Sequence, residues 1–378
     1  MTVVDLFAGA GGWDCAARQL GIDPIGIEFD PDACATRAAA GLRTIRARLG
    51  QWWPTGLRRL DGLIASPPCQ VFSAAGNRMG LSEIPKLINL IDSNRIGTHG
   101  STLSRDAAHL VEPMAWIVRW MPRWVVLEQV PAVLPVWQAI ARWLGRRGYH
   151  TWAGKLCAAD YGDPQARERA ILIARLDRPV HWPPATHAEY PQPDLFGGCP
   201  KPWVTMAQAL GWDEGLMIDL RQNSRLAGGA AKSYVRSADR PASTITGQSW
   251  YQWQLDQREH YKPLQTLDRP APTITGSATR NWAWRRPATT VACDSRIWPP
   301  GHKINQADIG RLGDTEARAR YGDRAGSDAI RITPAQAAAL QSFPPDWPWQ
   351  GNKTSVGRQI GNAIPVRMAH AILQEATQ

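Results

Sequence analysis

The feature that most constrains the fold is a glycine-rich turn between an apolar strand and a helix at the start of the chain. Residues 3–7 (VVDLF) have the pattern of a buried strand; glycines follow at 9, 11 and 12, and a helical pattern runs to Gly21. A second strand pattern covers 24–29, and Asp30-Pro31 has the capping and first-turn residues of another helix. Short apolar runs recur at 63–65 and 124–127. This alternation predicts an α/β fold with a doubly wound, mostly parallel sheet, whose ligand lies beyond the carboxyl ends of the strands.

The composition changes near residue 179, which indicates a domain boundary. Prolines there would interrupt any long helix: Pro179, Pro183, Pro184, Pro191, Pro193, Pro200 and Pro202. An internal repeat follows, with RPASTITG at 240–247, RPAPTITG at 269–276 and RPATTVA at 286–292. Each copy has the pattern of a turn leading into a short strand. We therefore predict a larger domain over 1–178, completed by 350–378, and a second, smaller, mostly β domain over 179–349.

Charge and cysteine content narrow the class of protein. The 43 Lys and Arg residues against 33 Asp and Glu give a formal charge of +10, which favours a polyanionic partner. No apolar run is long enough to cross a membrane and no export signal is visible, so we expect a cytoplasmic protein. The six cysteines are scattered without metal-ligand spacing. We therefore expect no metal site and a reducing compartment.

The glycine turn is a candidate cofactor site. Glu28 ends the second predicted strand 19 residues after Gly9, a spacing at which a carboxylate can bind ribose hydroxyls. The turn departs from GxGxxG because position 14 is Asp14. An acidic turn suits a cofactor with a sulfonium cation better than one with a pyrophosphate. The alternative interpretation is a tight turn that serves packing alone.

Cys69 is a candidate nucleophile. It ends the segment Ser66-Pro67-Pro68-Cys69, whose two prolines stiffen the chain and would fix the thiol after a strand. The alternative is a small buried core thiol. A similar segment that ends in an aromatic residue is found in enzymes that methylate exocyclic amines. Cysteine at this place favours attack on a ring carbon instead.

Three further charged residues lie next to predicted strands: Glu128 follows one, and Arg167 and Arg169 precede the apolar run at 170–174. Glu128 comes directly after a buried apolar run, where a partly desolvated carboxyl group can exchange a proton with a substrate. Arg167 and Arg169 alternate in the segment 165–169, so both guanidinium groups can face one side and form forked hydrogen bonds. A structural acid and a solvated charged surface are the alternatives.

Taken together and in order, these elements resemble the DNA cytosine-C5 methyltransferase family along the whole chain. The matching segments are 5–12 (DLFAGAGG), Glu28, 67–70 (PPCQ), 128–130 (EQV), 165–169 (QARER), 331–344 (RITPAQAAALQSFP) and 359–365 (QIGNAIP). Each segment alone is a weak signal, but seven in the family's order are specific.

The resemblance implies a mechanism and a set of roles. The Cys69 thiolate would add to C6 of a cytosine flipped out of double-stranded DNA, while Glu128 protonates N3. Arg167 and Arg169 would secure the base and the glutamate. S-adenosylmethionine (AdoMet) would lie against Phe7, Gly9, Gly11, Glu28 and Asn362. Residues 179–349 would then be the target-recognition domain. A bacterial or phage enzyme of restriction–modification type, acting as a monomer without an appended regulatory domain, is the expected form.

The chain departs from the family pattern in three places: at Gln129, in the lack of an evident Asp for the adenine amine around 44–49, and in a long segment between Cys69 and Glu128. Two alternative functions also remain open. The family usually has Asn after the catalytic glutamate, whereas this chain has Gln129. One branch of the family methylates tRNA, but its Cys-Phe-Thr tripeptide is absent here. A non-catalytic DNA-binding protein would be free to lose Cys69, Glu128 and the two arginines.

Overall fold

The computed structural model describes most of the first half of the chain and its C-terminal end. The described residues are 1–50, 54–69, 71–72, 79–95, 103–193, 198–212, 217–219, 235–243, 254–256 and 333–378. Cys293 and the second and third repeat copies lie outside them. None of the described helices is long and apolar enough to cross a membrane.

A seven-stranded sheet forms the centre of the fold. The first eight strands are β1 (Val3–Leu6), β2 (Ile25–Glu28), β3 (Thr44–Arg46), β4 (Gly62–Ala65), β5 (Trp124–Gln129), β6 (His150–Cys157), β7 (Gln165–Ala166) and β8 (Glu168–Arg175). The sheet has the order β3-β2-β1-β4-β5-β8-β6. Its first five strands are parallel, and β8 runs antiparallel to both β5 and β6. The predicted α/β fold with a mostly parallel sheet is confirmed.

Helices cover both faces of this sheet. They are α1 (Gly12–Gln19), α2 (Pro31–Ala39), α3 (Ile84–Asp92), α4 (Arg105–Trp120), α5 (Leu134–Gly145), α6 (Met206–Leu210), α7 (Pro334–Ala339), α8 (Lys353–Asn362) and α9 (Val366–Thr377). Asp30 caps α2 as predicted, since its Oδ1 accepts hydrogen bonds from the Asp32 and Ala33 amides, both at 3.0 Å. Alternate strand residues enter opposite cores: Ile64 and Val126 lie with α1 and α9, and Leu63 and Val125 lie with α4 and α5.

The described part of the predicted second domain holds short strands. They are β9 (His187–Ala188), β10 (Lys201–Pro202), β11 (Met217–Asp219), β12 (Val235–Ser237), β13 (Ala242–Ser243) and β14 (Gln254–Asp256). Only residues 240–243 of the first repeat copy are described, and Ala242–Ser243 form β13, which pairs with β7. The Thr and Ile residues of the predicted strand, at 244–246, lie outside the described residues. Met206, Ala242 and Ala337 all enter the core cluster that contains α9. The division of the chain at 178/179 and 349/350 stays a prediction.

Candidate active site

The candidate site residues come from segments that meet at one edge of the sheet. Phe7, Ser66 and Glu128 lie at or just beyond the carboxyl ends of β1, β4 and β5. Because β8 is antiparallel to β5, its beginning lies at this same edge, and it starts between Arg167 and Arg169. The reversed strand therefore brings the two arginines to the parallel strands that carry the other groups.

The glycine loop, residues 7–12, has an unusual backbone conformation held by Glu28. Phe7, Gly9 and Gly11 have φ angles of 61°, 52° and 100°. The Gly9 amide donates to Glu28 Oε2 at 2.9 Å. The other carboxylate oxygen, Oε1, accepts hydrogen bonds from the Phe29 and Asp30 amides, both at 2.7 Å. One carboxylate thus joins the loop to the end of β2.

Aromatic rings and a buried acid adjoin this loop. The ring of Phe7 meets His109 of α4 edge-on, with centroids 5.2 Å apart. Phe29 is 51% exposed, an unusual fraction for a large apolar side chain, and the Arg48 guanidinium lies 4.5 Å from its ring centroid. Asp5 is fully buried, and burial, followed by the negative charge of Asp14, raises its pKa well above the ordinary value. The rings of Phe7 and Phe29 therefore offer apolar and stacking surfaces beside the loop, whereas the Asp5 carboxyl group is enclosed.

The C-terminal segment that contains Asn362 also reaches the glycine loop. A Cβ atom placed on Gly12 would come within 2.8 Å of the Ile364 carbonyl oxygen, so the two backbones are in close contact. Asn362 is the last residue of α8 and is exposed. The sequence prediction that Phe7, Gly9, Gly11, Glu28 and Asn362 form one cofactor site remains a prediction, and this proximity is consistent with it.

The structure gives Asp14 a different place from the one expected. Its carboxylate is 1% exposed and accepts hydrogen bonds from both terminal nitrogens of the buried Arg37, at 2.7 and 2.8 Å. Asp14 therefore does not give the glycine turn the acidic surface on which the preference for a sulfonium cofactor was based. Both oxygens of this carboxylate are bonded to a buried guanidinium, so its role is structural.

The segment that leads to Cys69 is held from two sides. Trp13 Nε1 donates to Ser66 Oγ at 2.9 Å, which connects α1 to the start of the segment. Gln129 Nε2 donates to the carbonyl oxygens of Pro67 and Pro68, at 2.9 and 3.2 Å. Two prolines have no N–H of their own, so these bonds fix the chain before the thiol through its carbonyls. Gln129, despite its extra methylene, braces this segment.

Glu128 and the two arginines form a buried charged cluster. Arg169 Nε lies 2.9 Å from Glu128 Oε1, with both side chains about nine-tenths buried. Arg167 Nη2 donates to the Gly361 carbonyl at 2.9 Å, next to Asn362. Burial, and then the charge of Arg169, lower the pKa of Arg167. An arginine begins from so high a pKa that it still remains a cation.

The thiol of Cys69 is part of the same electrostatic environment. The pKa of the thiol is raised above its ordinary value: burial is the main cause, Glu128 adds to the rise, and Arg169 and Arg167 oppose it. The segment that ends at Cys69 is bonded through the Pro67 and Pro68 carbonyls to Gln129, the residue that follows Glu128 in β5. The structure thus brings together the four residues predicted to do the chemistry: Cys69, Glu128, Arg167 and Arg169.

Sequence reasoning missed several contacts that organise the site. Arg37, the bond from Trp13 to Ser66, and His109 against Phe7 were not anticipated. Each depends on how separate elements pack, so no local spacing in the sequence signals it. Within the described residues, no group of three or more His, Cys, Asp or Glu side chains could hold a metal ion.

Comparison with known proteins decides the family. The family model described as C-5 cytosine-specific DNA methylase matches residues 1–378. The chain belongs to this family. Among curated relatives, the type II methyltransferase M1.HphI of Haemophilus parahaemolyticus is 24% identical, over 99% of this chain and 86% of that protein. The type II methyltransferase M.SacI of Streptomyces achromogenes is 25% identical, over 99% of this chain and 92% of its own.

A solved structure supports the fold. The crystal structure of S. pombe Dnmt2 methyltransferase has a TM-score of 0.56 and 15% sequence identity, covering 99% of this chain and 97% of its own. Membership of the C-5 cytosine methylase family makes the protein an enzyme, a DNA (cytosine-5-)-methyltransferase of the AdoMet-dependent class. Its relatives are type II methyltransferases, which belong to restriction–modification systems.

Proposed function

We propose that this C-5 methylase acts on a cytosine flipped out of a specific DNA sequence, through a covalent bond between Cys69 Sγ and cytosine C6. The observation that carries the proposal is the grouping of Cys69 with the Glu128–Arg169 ion pair and Arg167 at the carboxyl edge of the sheet. This reaction needs a nucleophile, an acid that can protonate a ring nitrogen, and cations held in fixed positions.

The residues around the glycine loop fit AdoMet. Gly9 has open space where a Cβ would stand, so a ligand can approach its backbone. Phe7 and the exposed Phe29 provide apolar surfaces for an adenine ring, and Glu28 provides a carboxylate for ribose hydroxyls. We propose that Phe7, Gly9, Gly11, Glu28 and Asn362 hold AdoMet there. When bound, AdoMet supplies a methyl group on a sulfonium centre, which an electron-rich ring carbon can take up.

The first task of the protein is to make C5 of cytosine electron-rich. Cys69 must lose its proton; burial raises the pKa of its thiol, and the charges of Arg169 and Arg167 oppose that rise and stabilise the thiolate once it forms. As Sγ bonds to C6, the electron pair of the C5–C6 double bond moves to C5. Glu128 donates a proton to N3, so the ring does not accumulate negative charge. Arg169 holds the Glu128 carboxyl group in place for this transfer.

The product is released by reversal of the addition. Once C5 carries the methyl group, its remaining proton is lost to a base, and that electron pair re-forms the C5–C6 double bond. The Sγ–C6 bond breaks and returns the thiolate to Cys69, and the N3 proton returns to Glu128. Arg167 and Arg169 remain cations throughout and stabilise the thiolate at both ends of the cycle.

Access to C6 and C5 requires the base to leave the stack. Extrusion of the nucleotide costs a few kcal/mol, which contacts between DNA and protein must offset. We propose that residues 179–349 make the base-edge and phosphate contacts that select the sequence, helped by the net charge of +10. We further propose that the enzyme works as a monomer, without an obligatory protein partner, in the cytoplasm of a bacterial or phage-infected cell.

The test is methyl transfer from tritiated AdoMet to double-stranded DNA, with nucleosides identified after digestion. The parent protein should give 5-methylcytosine, and Cys69→Ala should give none. Cys199→Ala is the matched control, because that cysteine is exposed and outside the cluster, and it should retain parental activity. Transfer at the parental rate by Cys69→Ala would contradict the covalent mechanism. Bisulfite sequencing of DNA from expressing cells identifies the methylated sequence.

A further inference from the structure

Asp14 and Arg37 form a buried ion pair beside the glycine loop that the methyl-transfer chemistry does not use. Arg37 is fully buried and Asp14 is 1% exposed. They come from different helices, α1 and α2, and face one another across the space beside β1 and β2. Their bonds of 2.7 and 2.8 Å join both carboxylate oxygens to both terminal nitrogens of the guanidinium.

All three nitrogens of the Arg37 guanidinium donate to acceptors other than Asp14, and the two terminal nitrogens donate to Asp14 as well. Nε donates to Thr44 Oγ1 at 2.9 Å, and Nη2 donates to the Arg43 carbonyl at 3.2 Å. Nη1 donates to the Ala8 carbonyl at 3.3 Å. A guanidinium has five N–H groups in a fixed fork, and this arrangement uses all of them. Arg37 is therefore locked in one orientation, and one arm of its fork ends on the glycine loop.

The Ala8 carbonyl is the point at which the loop turns. It also accepts the Gly11 amide at 3.3 Å, and it lies between Phe7 and Gly9, whose φ angles are 61° and 52°. A positive φ is unfavourable for a residue with a side chain, so Phe7 holds this conformation because its surroundings impose it. The guanidinium on the next carbonyl is one of those surroundings.

The neighbouring backbone leaves room for the pair. A Cβ atom on Gly26 would lie 2.0 Å from Arg37 Nη2, so only glycine at this position of β2 allows the guanidinium to lie there. Burial lowers the pKa of Arg37, but Asp14, Asp5 and Glu28 outweigh burial and raise it. The charge of Arg37 is thus buried away from water and is stabilised by the acids around it.

We propose that Asp14 and Arg37 are positioning residues for AdoMet: the pair fixes the Ala8 carbonyl and so presents Phe7 and Gly9 in the conformation that the cofactor binds. This inference rests on the proposed cofactor site. A buried ion pair adds little net stability compared with apolar residues of similar size. A role in the geometry of the loop explains why a costly pair is placed there.

The double variant Asp14→Leu/Arg37→Met tests the proposal. It removes both charges together, so neither is left unpaired, and an apolar pair of similar size can preserve stability. The measurements are the thermal midpoint, the AdoMet dissociation constant by calorimetry, and KM and kcat for methyl transfer. We expect an unchanged midpoint, AdoMet binding at least roughly tenfold weaker, and the KM for DNA unchanged, because loss of a hydrogen bond to a charged group has about that effect.

The control variant removes an exposed ion pair, one partner of which lies on the same helix, α1. Arg18 and Asp23 are 3.4 Å apart with side chains 40% and 49% exposed, and Arg18→Gln/Asp23→Asn should bind AdoMet as the parent does. Should the double variant fail to fold, Arg37→Lys replaces it. Lysine keeps the charge beside Asp14 but has three N–H groups without the fork, so the same rise in the AdoMet dissociation constant is expected.

The outcomes separate this inference from the proposed function. A folded variant that binds AdoMet with parental affinity, while the parent binds and transfers methyl groups, would overturn the positioning role alone. A fall in kcat at saturating AdoMet with an unchanged KM for AdoMet would also overturn it. A parent protein that does not bind AdoMet would overturn the proposed function and this inference with it.

Discussion

Gln129 offers a quantitative test of how the nucleophile is held. In Gln129→Met the side chain keeps its length and burial but loses the amide that donates to the Pro67 and Pro68 carbonyls at 2.9 and 3.2 Å. The segment 66–69 then loses its hydrogen bonds to β5, the strand that carries Glu128. Because the sulfur must approach C6 along a defined direction, we expect the chemical step to slow while AdoMet binding is unchanged.

The size of the effect follows from the number of bonds lost. A neutral intramolecular hydrogen bond contributes about 1 kcal/mol net, so two amount to about 2 kcal/mol. If that energy is used to align Cys69 in the transition state, the rate of the chemical step should fall about 30-fold. The variant also loses the hydrogen bond from the Val130 amide to Gln129 Oε1. Because this bond joins adjacent residues of the chain, its loss should affect the stability of the protein more than the position of the segment 66–69.

The assay is single-turnover methyl transfer with AdoMet and DNA both saturating. Tyr149→Phe is a matched control: its buried hydroxyl donates to the Pro122 carbonyl at 2.7 Å, just before β5 begins, at the end of the sheet opposite Glu128. That variant loses a bond to a proline carbonyl but should keep the parental rate. If Gln129→Met reacts within about twofold of the parent while both variants are similarly destabilised, the bracing role of Gln129 is refuted.

Two further predictions concern charge and packing. Iodoacetamide alkylates the thiolate of Cys69, whose fraction rises with pH. Burial raises the pKa of this thiol and Arg169 opposes the rise, so Arg169→Gln should shift alkylation to higher pH. An unshifted pH profile would contradict the assigned electrostatics. Gly26→Ala should lower the free energy of unfolding in urea by at least about 2 kcal/mol, since the new Cβ would lie 2.0 Å from Arg37 Nη2. Gly145→Ala, where nothing lies within 4 Å of the new Cβ, is its control and should not lower the free energy of unfolding.

The parts of the fold that sequence could predict are those set by local pattern. The buried runs at 63–65 and 124–127 form β4 and β5, and the Asp30-Pro31 signal marks the start of α2. At α7 the same kind of local pattern occurs, since the Thr333 side chain caps the helix and Pro334 is its first residue. Strand and capping signals depend on a few adjacent residues, so one sequence is sufficient to read them.

What sequence could not predict depends on packing between distant segments. Nothing local to β8 shows that it runs antiparallel beside β5, yet that reversal places Arg169 against Glu128. Asp14 was interpreted as making the glycine turn acidic, because its partner Arg37 is 23 residues away on another helix and no local pattern pairs them. The bond from Trp13 to Ser66 spans 53 residues for the same reason. Side-chain roles within a motif are therefore fixed only when the helices and strands are assembled.

The central claim is that Cys69 forms a bond with cytosine C6, and a trapped adduct measures it most directly. In DNA whose target cytosine carries fluorine at C5, no C5 proton is available after methyl transfer, so the Sγ–C6 bond cannot be released. Peptide mass spectrometry of the product should find the methylated base attached to Cys69, and to none of the other five cysteines. Methyl transfer to ordinary DNA without such an adduct, or an adduct at another cysteine, would contradict the account.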